Sequence, residues 1–243
     1  MDLTNPIIVA LDLPTAAGAV SMAESLRDHV GGFKIGLGLL HGPGPGTIDA
    51  LVRLDRPVFA DAKIQDITSQ VEAAAFRLGT HGARWNSALV SGGQSMLEAA
   101  VSGLERGAGS AAAGVLGVSV LTSLGKGDLE RVGIQRSPGQ LVGKMAKVAS
   151  ASGCEGLVCS PQELNVVAQA APDLVRVTPG IRPLGIGDQQ TGSDQTRVAT
   201  PGEAIDKGAD ILVIGRPITA ADDPVAAAEA IAGSIRRTRE LLA

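Results

Sequence analysis

The chain has 243 residues, 44% hydrophobic, 2% aromatic and 19% charged, with a formal net charge of −4. That length and composition suit one core of small and branched aliphatic side chains, large enough to need no covalent staples. Lys and Arg are scattered rather than clustered, so nothing suggests a nucleic-acid footprint, and no run of apolar residues is long enough to cross a membrane.

In chain order, the N-terminus lacks a basic region followed by an apolar run and a cleavage site, so an unprocessed cytoplasmic protein is expected. Eight short apolar runs follow, at residues 7–12, 33–37, 57–63, 84–90, 114–121, 156–160, 175–179 and 211–215, each succeeded by a helical pattern. Runs without polar alternation predict strands buried on both faces, as in a parallel sheet covered by helices. Eight such units predict an α/β fold, a (β/α)8 TIM barrel spanning residues 1–243 as a single domain.

Ser160-Pro161-Gln162-Glu163 and Thr200-Pro201-Gly202-Glu203 read as capping boxes with proline at the first helical position. Ser137-Pro138 looks similar, and Asp223-Pro224 opens the last helix. Residues 42–46 read as a rigid Gly/Pro turn, whereas the polar segment 182–197 lies on the rim where barrel active sites are built and is expected to be functional. Cys154 and Cys159 are too few for a disulfide framework and lack metal-ligand spacing, so both read as reduced core residues. His29, His41 and His81 have no paired spacing and read as surface residues.

Residues 59–71 carry charges within a segment that otherwise reads as a buried strand. Asp61 and Lys63 are two residues apart, so on a strand they share a face. Asp66 follows at the turn into a helix beginning near Ile67. Alone, this pattern fits a structural ion pair. In a barrel, however, strand C-termini converge on one mouth, where Asp12, Lys34, Arg182 and Arg216 would also lie. Charges are costly to bury unless paired, and so many in one mouth point to a charged substrate.

Ala10-Leu11-Asp12, Phe33-Lys34-Ile35-Gly36, Asp61-Ala62-Lys63-Ile64-Gln65-Asp66-Ile67, Leu121-Thr122-Ser123, Thr178-Pro179-Gly180-Ile181-Arg182-Pro183, Asp194-Gln195-Thr196-Arg197 and Ile214-Gly215-Arg216-Pro217 together resemble the orotidine 5′-phosphate decarboxylase family. The resemblance implies cofactor-free, metal-free conversion of orotidine 5′-phosphate to uridine 5′-phosphate, the last step of de novo pyrimidine nucleotide synthesis. It gives Lys63 the tasks of stabilising and protonating a ring carbanion. Asp61 would hold Lys63 ionised and crowd the departing carboxylate, while Lys34 and Asp66 complete the alternating array. Asp12 and Lys34 would bind the ribose hydroxyls, and Thr122 and Ser123 the pyrimidine, with Pro179 beside them. Arg182, Gln195, Gly215 and Arg216 would take the phosphate. The family is dimeric, which implies that Asp66, Ile67 and Gln70 enter the partner's site.

Some positions depart from the family's usual pattern: Gln70 replaces a threonine, Thr68 a proline and Leu89 a histidine. The stretch between Arg182 and Gln195 is longer than in typical bacterial members, and its Gln189-Gln190 pair is a second candidate for the phosphate. Residues 61–64 also fit a metal-dependent relative acting on a ketogulonate or hexulose phosphate. Such a site needs further carboxylate ligands, and strands two and four end without one. A degenerate nucleotide-binding protein is the third reading, against which Asp61, Lys63 and Asp66 all stand.

Overall fold

The computed structural model describes residues 5–183 and 198–242. The apolar runs form β1 (Ile7–Ala10), β2 (Gly32–Ile35), β3 (Val58–Ile64), β4 (Trp85–Leu89), β5 (Gly114–Val118), β6 (Gly156–Val158), β7 (Val175–Thr178) and β8 (Ile211–Ile214). All pair in parallel with their sequence neighbours, and β1 joins β8, so the sheet closes as a (β/α)8 barrel. The helices are α1 (Ala16–Leu26), α2 (Leu37–His41), α3 (Gly46–Val52), α4 (Thr68–Thr80), α5 (Gln94–Ala108), α6 (Lys126–Arg131), α7 (Pro138–Ala151), α8 (Leu164–Ala170), α9 (Pro201–Asp206), α10 (Arg216–Thr219) and α11 (Pro224–Leu242).

Burial on both strand faces explains the continuous apolar runs. Ile8, Ala10, Phe59, Trp85, Leu116, Val177, Ile211 and Val213 pack inside the barrel. Their strand neighbours, such as Ile7, Val9, Ala60, Leu212 and Ile214, face outward into the larger core beneath the helices. Seven strands stop short of their expected C-terminal ends. The residues beyond the last ladder pair, Asp12, Ser160, Pro179 and Gly215 among them, leave the sheet for the loops, and several line the mouth.

Ser137 and Thr200 cap α7 and α9 in reciprocal boxes with Gln140 and Glu203. Asp223 Oδ1 accepts the Ala226 N–H at 2.9 Å at the start of α11. Ser160-Pro161-Gln162-Glu163 does not begin a helix as expected. Residues 161–163 form a turn, and α8 starts at Leu164. The buried Glu163 carboxylate still accepts the Ser160 N–H at 3.2 Å and bonds the Ser160 hydroxyl, so the box closes around that turn.

α4 and α5 touch backbone to backbone. A Cβ on Gly103 would strike the Glu72 carbonyl, one on Gly107 the Phe76 carbonyl, and one on Gly79 would lie 2.5 Å from the Leu104 oxygen. This contact fixes α4, whose N-terminus follows Asp66 and Ile67. At the opposite end of the barrel, Arg84 grips Glu155 through two bonds of 2.7 and 2.6 Å and stacks 4.7 Å above the Trp85 ring. Arg176 likewise grips Asp210. Such pairs tie strand starts together on the face that serves stability.

Candidate active site

The C-terminal strand ends surround a cavity of about 470 Å³. Its floor is apolar, made by Ala10, Phe59, Val118, Val158, Cys159 and Val213, while charges crowd two walls that adjoin where β8 pairs with β1. Asp12, Lys34, Asp61 and Lys63 rise from the β1–β3 side. Arg182, Gly215 and Arg216 stand on the β7–β8 side, with Thr122 and Pro179 also lining the space.

The first wall is a continuous chain of alternating charge. Lys34 Nζ lies 3.1 Å from Asp12 Oδ1 and 3.5 Å from Asp61 Oδ2, and Lys63 Nζ lies 2.7 Å from the same Asp61 oxygen. Burial pushes the Asp61 carboxyl up, but the Lys34 and Lys63 ammonium groups and hydrogen bonds from Lys63 and Ser87 outweigh it and leave it below the ordinary aspartate value. Gly36 leaves room for this chain, since a Cβ there would lie 2.8 Å from Asp12 Oδ1 and 3.2 Å from Lys34 Nζ.

Asp61 and Lys63 share a face as expected, but simple strand alternation is not the reason. The β3–β4 register shifts between Ala60, opposite Asn86, and Ile64, opposite Ala88, so residues 61–63 bulge against Ser87 alone. Lys63 takes φ 46°, a left-handed backbone that costs an ordinary residue roughly 1–2 kcal/mol. Bulges beside active sites re-aim side chains, and here the re-aimed group is the ammonium of Lys63. Ser87 accepts the Lys63 N–H at 2.9 Å and donates to Asp61 Oδ1 at 2.8 Å. Ser87 is silent in the sequence, because a lone serine in an apolar run carries no charge signal.

On the adjoining wall, Thr178-Pro179-Gly180 turns the chain out of β7, with Gly180 at φ 82°. The Arg182 N–H then bonds the Ala199 carbonyl at 2.8 Å, and the Ala199 N–H bonds Gly180, closing the base of the segment between them. Arg216 opens α10 directly after β8. Burial, then the charge of Arg216, lowers the Arg182 guanidinium below the ordinary arginine value. The two cations are therefore set close enough to disturb each other.

Four expected site residues do not line this cavity. Asp66, exposed at the rim, accepts the Ile67 N–H at 2.7 Å and makes no ion pair among the described residues. Ile67 is 68% exposed, and Gln70 and Ser123 also lie outside the lining. β5 ends at Val118, which leaves Thr122 and Ser123 in the following loop rather than in the strand. Gln195, Gln189 and Gln190 fall outside the described residues. Both cysteines are free and buried, and burial pushes the Cys154 thiol up to about 12. Among the described residues no group of three His, Cys, Asp or Glu side chains is placed to hold a metal, and no helix is long and apolar enough to cross a membrane.

Comparison with known proteins gives this geometry a lineage. The family model described as orotidine 5′-phosphate decarboxylase / HUMPS family matches residues 5–231. The chain is 44% identical over 236 residues to the orotidine 5′-phosphate decarboxylase of Anaeromyxobacter sp. (strain K), covering 97% of this chain and 100% of that one. It is 40% identical over 244 residues to that of Moorella thermoacetica, covering 98% and 95%. The crystal structure of orotidine 5′-phosphate decarboxylase from Lactobacillus acidophilus superposes with a TM-score of 0.82 at 33% identity, over 95% of this chain and 99% of the other. With its charged strand ends, its paired arginines and near full-length likeness in hand, the chain belongs to the orotidine 5′-phosphate decarboxylase family.

Proposed function

We propose that this protein decarboxylates orotidine 5′-phosphate to uridine 5′-phosphate, without metal or cofactor, as a single catalytic domain in the cytoplasm. The observation that carries the reading is the unbroken chain Asp12, Lys34, Asp61, Lys63 sharing one mouth with Arg182 and Arg216 above an apolar floor. The arginines suit a phosphate, and Asp12 with Lys34 suits the ribose hydroxyls. The pyrimidine then lies over the floor near Thr122, with its carboxylate toward Asp61 and Lys63. Breaking the carbon–carbon bond releases carbon dioxide and leaves an electron pair on the ring carbon. The Lys63 ammonium stabilises that charge and transfers a proton to it, and solvent later reprotonates the amine.

The test follows loss of orotate absorbance with orotidine 5′-phosphate as substrate, in excess chelator. Turnover that survives the chelator is expected. Turnover that appears on a ketogulonate or hexulose phosphate and depends on added magnesium would overturn the reading.

The site is completed, on this proposal, by a second copy of the chain. Asp66 and Ile67 sit at the rim outside their own cavity, and the apolar Leu37, Ile67 and Leu121, all on the strand-end side, are 46%, 68% and 39% exposed. In a two-fold dimer each rim would reach the other mouth. Lys63→Ala and Asp66→Ala homodimers are then both nearly inactive. Their mixed dimer holds one site with both residues and one with neither, so it regains about half the wild-type activity. No recovery despite demonstrated subunit exchange would contradict the shared site.

A further inference from the structure

Ser87 lies fully buried on the inward side of β4, two residues beyond Trp85, and does not line the cavity. It cannot touch a substrate bound there. It is nevertheless joined to both halves of the reactive pair. The bulge in β3 sets residues 61–63 against Ser87, and the Lys63 N–H bonds the serine oxygen instead of a ladder carbonyl. The hydroxyl's own proton goes to Asp61 Oδ1. A hydroxyl has one proton to give and two lone pairs to accept with, and here the proton is committed to the carboxylate while a lone pair holds the backbone of Lys63.

Resting on the decarboxylase reading, we infer that Ser87 is a positioning residue for the reaction, holding the Lys63 backbone left-handed and turning Asp61 so that Oδ2 meets both ammonium groups. The division of labour within one carboxylate follows: Oδ1 is anchored to β4, and Oδ2 is left for Lys34 on β2 and Lys63 on β3. Without that anchor the carboxylate is free to rotate and the bulge loses the bond that fixes its sharpest residue. The phosphate contacts stand on other residues and Lys34 keeps Asp12 as a second partner, so the loss falls on the chemical step more than on binding.

The experiment measures kcat, KM, uridine 5′-phosphate affinity and the pH dependence of kcat for Ser87→Ala and Ser87→Cys beside the wild type. The alanine variant should lose about 10- to 100-fold in kcat, the scale of a small misplacement of a reacting group, with KM and nucleotide affinity within about twofold. Its acid limb should move to higher pH. The groups facing Asp61 are Lys34, Lys63 and Ser87, with Asp12 beyond Lys34, and the variant removes one bond that favours the ionised carboxylate. The cysteine variant, a weaker donor of similar size, should fall between the two, and it carries the same comparison if the alanine variant does not fold. An unchanged kcat and acid limb would overturn the inference, as would nucleotide affinity falling in step with kcat. A wild type that fails to decarboxylate orotidine 5′-phosphate would instead overturn the assigned function, so the two failures are distinct.

Discussion

The Lys34 ammonium, 8% exposed, lies 3.5 Å from Asp61 Oδ2, so a lysine on β2 helps hold the carboxyl of the neighbouring strand below its ordinary aspartate value. Asp61→Asn would leave the ammonium groups of Lys34 and Lys63 without their shared carboxylate. We expect a loss of about 3 kcal/mol in urea unfolding, the scale for breaking a buried pair, together with a collapse of kcat. The pH dependence has a definite sign. Because Asp61 sits below its ordinary value when folded, the unfolded chain takes up the proton first. Its contribution is complete above about pH 5 and is lost as pH falls below about 4. The asparagine variant should show a shallower loss of stability in acid than the wild type.

Gly36 has an extended backbone, φ −98° and ψ −171°, that any residue can adopt. A substitution there is therefore a test of space alone. Gly36→Ala pushes a methyl group into the Asp12–Lys34 contact. We expect KM to rise about tenfold, with kcat less affected. Steady-state kinetics would show it, and an unchanged KM would mean that Asp12 and Lys34 can part without consequence.

Gly103 is constrained by the Glu72 carbonyl of α4. Backbone cannot swing aside as a side chain can, so Gly103→Ala must separate the two helices. Overpacking of that kind costs about 1–3 kcal/mol, a fall of roughly 2–12 °C in melting temperature. Calorimetry or thermal circular dichroism checks it.

Arg216→Ala removes one of two guanidinium groups from the phosphate wall. Binding should weaken about 100-fold, a scale set by charge-assisted bidentate contact, and kcat should fall as well because remote binding energy orders the reacting end. Kinetics with the nucleotide and with unphosphorylated orotidine separate these effects. If wild type and variant treat the nucleotide alike, the phosphate lies elsewhere.

The strands were legible because burial on both faces leaves uninterrupted apolar runs, and the charged wall because lysine and aspartate have no bland place at the end of a buried strand. Strand ends were overextended where residues such as Leu11 and Val120 stay apolar after leaving the ladder. The floor of the cavity was not legible: Val118, Val158 and Val213 look the same facing a substrate as facing a core. Ser87 was hidden for a related reason, since its role depends on a bulge that alternation cannot reveal. Asp61 and Lys63 do meet, yet a left-handed lysine brings them together.

The most direct test of the central claim, that Lys63 carries out the chemistry while other residues bind, is Lys63→Ala assayed in parallel for turnover of orotidine 5′-phosphate and for binding of uridine 5′-phosphate. The account predicts that turnover falls by more than about 1,000-fold while the nucleotide still binds within about tenfold of wild type. A variant that keeps near wild-type kcat would contradict it.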